Sequence, residues 1–161
     1  MRHLLIVIAL LSPLHLSAQT AGFPSLRLSG SARPAGMADL SAALQGPEAA
    51  NPAALSATTQ RAYAFSHNAW IGDIEQQHLH AVKQGAHSAW ALRAQIWQAD
   101  GLEYRTGPSS QPLGTFGAYD LAAGVVYARR LSSEMRLGAQ LKLLHQSIST
   151  HSAVGYGVDV G

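Results

Sequence analysis

GAYDLAAGVVYARRLSSEMRLGAQLKLLHQSISTHSAVGYGVDVG, residues 117–161, decides the fold. Read two residues at a time, Tyr119, Leu121, Ala123, Val125 and Tyr127 fall on one side. Asp120, Ala122, Gly124, Ala128 and Arg130 fall on the other, with Val126 as the exception. After Ser132-Ser133 the alternation resumes, with Met135, Leu137, Ala139, Leu141 and Leu143 opposite Arg136, Gly138, Gln140, Lys142 and Gln146. It returns in Val154, Tyr156, Val158 and Val160 against Gly155, Gly157 and Asp159. A period of two sustained this long means strands with one apolar face. The other face mixes small, polar and charged residues, which suits a wall with lipid outside and a wet or side-chain-lined lumen inside. Leu137, Leu141, Leu144 and Ile148 also sit at helical spacing. Gly138 and the strand-like neighbours on both sides favour the strand.

Working outward, Arg61–Trp70 carries Tyr63 and Phe65 and reads as a strand. Ile71-Gly72-Asp73 is a turn, Glu75–Gln84 a more polar strand, and Gly85-Ala86 a second turn. Ser88–Gln98 alternates well, with Trp90, Leu92, Ala94 and Ile96 facing away from Arg93 and Gln95. Asp100–Thr115 holds Gly101, Gly107, Pro108, Pro112 and Gly114 and is expected to be a long loop. The total is about six strands, each near or above the length that crosses a bilayer at a tilt. Short connections at Gly85-Ala86 and Ser132-Ser133 fall at one end and the long one at the other, as in outer-membrane barrels, although the turns at Ile71–Asp73 and Thr150 are short as well. Tyr119, Tyr127, Trp70, Trp90 and Trp97 are expected near the interfacial girdles.

The N-terminal part differs in character. Arg2 and His3 precede an apolar run from Leu4 to Leu11, and Ser17-Ala18 offers a cleavage point, so residues 1–18 have the layout of a secretory signal peptide. Leu26 and Leu28 alternate with Arg27 and Ser29, which fits a short strand or an extended lead. Residues 19–59 as a whole are rich in Ala, Ser, Gly and Pro and read as a compact plug or lead-in segment. A short helix is expected over Ala38–Leu44, while Pro47 and Pro52 favour turns. In the Asn51-Pro52-Ala53 stretch the asparagine side chain is expected to bond nearby backbone.

Composition narrows the function classes. Among 161 residues, 12% are charged and 47% hydrophobic, which is enough apolar surface for a core. There is no cysteine, which excludes a disulfide framework, thiolate chemistry and a lipid anchor on cysteine. The net charge of +2 is scattered, giving no nucleic-acid surface. His78 and His80 share a strand face at a spacing that can chelate, and Glu75 is near, but no acidic or cysteine partner is placed with them, so no metal and no cofactor is assigned. His145 and His151 flank a turn and read as interfacial polar groups. The motifs of serine hydrolases, P-loop and dinucleotide-binding proteins and zinc proteases are all missing, so no enzyme activity is assigned. Arg93, Asp120, Arg136, Lys142 and Asp159 project to the inferred inner side, where they either pair with one another or set what enters.

Several segments in order also resemble a known family. Gly36-Met37-Ala38, Asn51-Pro52-Ala53-Ala54-Leu55 and Trp70-Ile71-Gly72-Asp73-Ile74 resemble the start of the PorV/PorQ family of outer-membrane proteins. Gly114-Thr115-Phe116-Gly117-Ala118-Tyr119-Asp120, Leu137–Lys142 and Ser152–Gly161 resemble three of its later strands. The resemblance runs from about Phe23 to Gly161, and PorQ-like members look nearest. It implies an all-β, FadL-like antiparallel transmembrane β-barrel, of which residues 60–161 supply N-terminal strands after the plug. It also implies a part in type IX secretion and surface attachment, with outer-membrane lipid, other secretion-system or attachment proteins and secreted cargo as partners. Six strands are fewer than a barrel needs, so further C-terminal strands are expected. The chain departs from the family in lacking an acidic pair before the Asn-Pro-Ala segment, with only Asp39 and Glu48 nearby. A FadL-like transporter of hydrophobic solutes is the alternative function.

Overall fold

The computed structural model describes residues 23–38, 44, 46–57, 61–108 and 111–161. The signal-peptide stretch 1–18 and most of the helix expected over Ala38–Leu44 lie outside those residues. The chain is an all-β protein: a six-stranded antiparallel sheet in which each strand pairs with its sequence neighbours. The strands are β1 (Ala62–Trp70), β2 (Ile74–Gln84), β3 (Ser88–Tyr104), β4 (Gly114–Arg130), β5 (Arg136–Ile148) and β6 (His151–Val160). The sheet is open, with β1 and β6 as its edges. Among the described residues no helix is long and apolar enough to cross a membrane.

Alternation becomes two distinct faces because successive side chains of a strand point to opposite sides. One face carries Tyr63, Phe65, Leu79, Leu92, Leu141 and Tyr156, all exposed. The other is covered by the N-terminal segment. That segment begins with a 3-10 turn at Pro24–Arg27. It continues through a five-residue helix, α1 (Ala32–Gly36), and returns to the sheet as a 3-10 turn at Pro52–Ala57. The second turn packs mainly on β4 and β5. Its Leu55 is fully buried and forms the core with Val82, Ala89, Ala91, Val126 and Ala128. Three alanines leave the socket that the leucine fills. The break in alternation at Val126 has its reason here, since that side chain is part of the socket.

Three expectations are corrected. Leu26 and Leu28 do not form a strand, because Pro24 sets φ for the 3-10 turn and only Leu28 is extended. The long loop over Asp100–Thr115 is shorter than expected. β3 runs on to Tyr104 and β4 starts at Gly114, both beyond the ends of their outer partners. Gly101 does not end β3, because its φ of 68° is absorbed in a register shift between Ala99 and Leu102. Trp70 and Trp97 do not join the exposed apolar face. By register they share the face of Arg93, 6.2 Å apart, with Trp70 still 48% exposed, while Trp90 sits on the other face, 4.6 Å from Tyr127.

Candidate functional site

Where the N-terminal segment crosses the sheet it leaves a cleft of about 240 Å³. Its floor is one transverse row of residues in register: His80 on β2, Arg93 on β3, Gly124 on β4 and Lys142 on β5. Arg93, Gly124, Lys142 and Asp159 all line it, and so do Ser31 and Glu48 from the segment above. Neighbouring strands are about 4.8 Å apart, so the two cations, separated by the Gly124 strand, stand about 10 Å apart at the backbone.

Arg93 is held from above. Its Nη2 donates to the carbonyls of Pro47 (3.1 Å) and Ala49 (2.8 Å), and its Nη1 donates to Gln140 Oε1 (3.2 Å). Its Nε is buried and has no acceptor among the described residues. No carboxylate lies within ion-pair distance of this guanidinium among the described residues. Lys142 is paired with Asp159 at 2.8 Å. Glu48 accepts from Ser31 Oγ at 2.8 Å and lies 3.9 Å from Arg33.

The histidines act as clasps. His80 Nδ1 lies 3.0 Å from the Pro47 carbonyl, and a carbonyl only accepts, so the proton of that bond sits on the ring. In a neutral ring His80 Nε2 then accepts from His78 Nδ1–H at 2.8 Å. A Cβ at Gly30 would strike the His78 ring at 2.7 Å, so a larger residue there would displace the ring from its bond to His80. Among the described residues no group of three or more His, Asp or Glu side chains is arranged to hold a metal ion.

Asp120 is fastened outside the cleft. It accepts from Ser25 Oγ (2.7 Å) and Gln146 Nε2 (2.8 Å), while Gln95 Nε2 donates to the Ser25 carbonyl (3.2 Å). Arg136 lies toward the opposite end of β5 and does not line the cleft. Of the five inner-face charges, then, three meet at the cleft, one ties down the lead-in and one stands apart. Gly36 ends α1, and a Cβ there would meet nothing. Asn51 Oδ1 accepts from the Ala53 amide at 2.9 Å, closing the turn. Pro52 and Ala53 then sit directly on Gly138, where a Cβ would collide with their backbone.

Sequence reasoning missed Ser25, Gln95 and Gln140. Each is an uncharged polar residue whose partner is more than 40 positions away, so no local spacing marks it. The available signal was the run of inner-face glycines, 124, 138, 155 and 157, which marks where something lies close against the sheet. No protein-family model, curated protein or solved structure matches this chain.

Proposed function

We propose that this protein is part of the wall of an outer-membrane β-barrel together with its N-terminal filler, serving a type IX secretion or surface-attachment system in a non-catalytic role. The observation that carries the membrane reading is the two-sidedness of the sheet. Large apolar side chains such as Phe65, Leu92, Leu141 and Tyr156 cover the side that packs against nothing. Charged and amide groups populate the side that the chain's own N-terminal segment covers. A water-soluble sheet would bury the first face and expose the second. In hydrocarbon the arrangement is the stable one, provided that the edges at β1 and β6 pair with further strands so that no backbone group is left unsatisfied. Strands of nine to 17 residues are long enough to cross at a tilt.

The secretion role rests on the ordered resemblance to PorV/PorQ proteins. The alternative, a FadL-like transporter of hydrophobic solutes, requires an apolar pocket between filler and wall. The cleft there has Arg93, Lys142, Glu48 and Asp159 in its lining, which favours the first role. Two measurements test the proposal in sequence. Fractionation of cells should place the protein in outer membranes, released by detergent and not by salt or alkaline washing. Recovery in the aqueous phase overturns the membrane reading. Deletion of the gene should then release proteins bearing the C-terminal export signal from the surface, while uptake of long-chain fatty acids stays unchanged. The opposite pair of results transfers the assignment to transport.

A further inference from the structure

We propose that the cleft between the N-terminal segment and the sheet is a binding site for a small oxyanion, a carboxylate or phosphate group, held between Arg93 and Lys142. Three observations converge on it. Arg93 is a half-buried cation whose acceptors are two backbone carbonyls and an amide oxygen, and its Nε has no acceptor among the described residues. A charge removed from water needs a counter-charge or a dense set of hydrogen bonds, and the cleft that this guanidinium lines is where a ligand supplies the counter-charge. Neither nearby carboxylate contacts Arg93: Asp159 pairs with Lys142 and acts on the guanidinium only from longer range, and Glu48 is held by Ser31 and Arg33.

The floor supplies the room. Gly124 lies between Arg93 and Lys142 in the register and brings no side chain of its own, so only the Gln140 amide and the Lys142 stem border the space above it, 3.0 and 3.4 Å from where its Cβ would stand. Gln140 leans into this gap. Its Oε1 accepts from Arg93, and its Nε2 lies 3.0 Å from where a Gly124 Cβ would stand. An oxyanion resting over Gly124 meets a guanidinium N–H, an amide N–H and an ammonium. Charge-assisted bonds of this kind are the strong ones. The lining as a whole adds Arg27 to these cations, three against the two carboxylates of Glu48 and Asp159. A cleft of about 240 Å³ admits a small solute or the end of a larger one, not a folded domain. The site needs neither the secretion role nor the transport role, because both leave this cleft in place.

Equilibrium binding to the purified full chain in detergent tests the site, with radiolabelled acetate, succinate and inorganic phosphate as separate probes at low ionic strength. Saturable binding of at least one probe, at one site per chain, is expected. Lys142→Met should weaken it at least fivefold and Arg93→Gln at least tenfold. Lys83→Met, on the exposed outer face, should leave it unchanged. Because Arg93 also holds the segment, protection of residues 46–57 from protease is followed in parallel; Lys142→Met must keep that protection for its loss of binding to count. Preference for acetate and succinate identifies a carboxylate site, and preference for phosphate a phosphate site. Absence of saturable binding by all three probes, or equal binding by wild type, Lys142→Met and Arg93→Gln, overturns the proposal.

Discussion

The two faces of the sheet use the same strands and opposite physics. On the outer face Phe65, Leu92, Leu141 and Tyr156 each keep more than half of their surface exposed, with no covering layer among the described residues. On the inner face Val82, Ala89, Ala91, Val126 and Ala128 surround a leucine that is 0% exposed. Side chains of the same chemical class are therefore structural in one place and solvent-facing in the other. What separates them is whether this chain supplies a covering layer. The inner face is the one whose stability the N-terminal segment determines, and the outer face is the one whose stability depends on the surrounding medium.

The two largest effects are expected where that layer meets the sheet. Gly138→Val would place a side chain into Pro52 and Ala53, and the contact is with backbone that no rotamer change can clear. Overpacking of this kind costs about 3 kcal/mol. The denaturation midpoint should fall accordingly, and residues 46–57 should become open to protease. Leu55→Ala empties the socket formed by the alanines and should cost about 2–5 kcal/mol by the same measurement. If both variants leave the midpoint unchanged, the segment does not hold the inner face.

Leu141→Arg sharpens the comparison from the other side. Leu141 is 64% exposed on the outer face, and β5 carries it in register between Val125 and Val158. In water the substitution should shift stability by less than about 0.5 kcal/mol. In a bilayer an arginine on the lipid side near the midplane costs about 2–4 kcal/mol. Refolding into lipid vesicles, compared with detergent-free buffer, reads the difference directly. Equal small effects in both media would remove the lipid from the account of this face.

These contrasts also explain what the residues revealed in advance. Strand identity and facing were legible because Tyr119 to Tyr127 and Leu137 to Leu143 alternate over long runs, and alternation is a local signal. The inward set Arg93, Asp120, Lys142 and Asp159 followed from the same parity. The division of these four and Arg136 into three at the cleft, one tie and one apart from both did not, because that depends on where the segment crosses. Arg93 is fixed by the carbonyls of Pro47 and Ala49, and a carbonyl acceptor leaves no trace in residue type. The extension of β3 past Gly101 was hidden for a related reason. A glycine with positive φ marks a bulge as readily as a loop, and only the partner strand decides between them.

Asn51 offers the smallest and most local test of the covering layer. Its side chain accepts from the Ala53 amide at 2.9 Å, and its carbonyl accepts from Ala54 N–H at 3.1 Å. Only the first bond depends on the side chain. Asn51→Ala should therefore cost about 1 kcal/mol, the usual net worth of one hydrogen bond. Asn51→Asp keeps an oxygen acceptor at the same place and should recover most of the loss. The effect should appear in the denaturation midpoint and in protease sensitivity of residues 46–57, since the turn presents Pro52 and Ala53 to Gly138. It should be the same in detergent and in lipid vesicles, because Pro52 and Ala53 are buried between the segment and the sheet and lie on the face opposite Leu141. A medium-dependent Asn51→Ala would mean that the inner layer and the outer face are coupled, and the separation between them would have to be withdrawn.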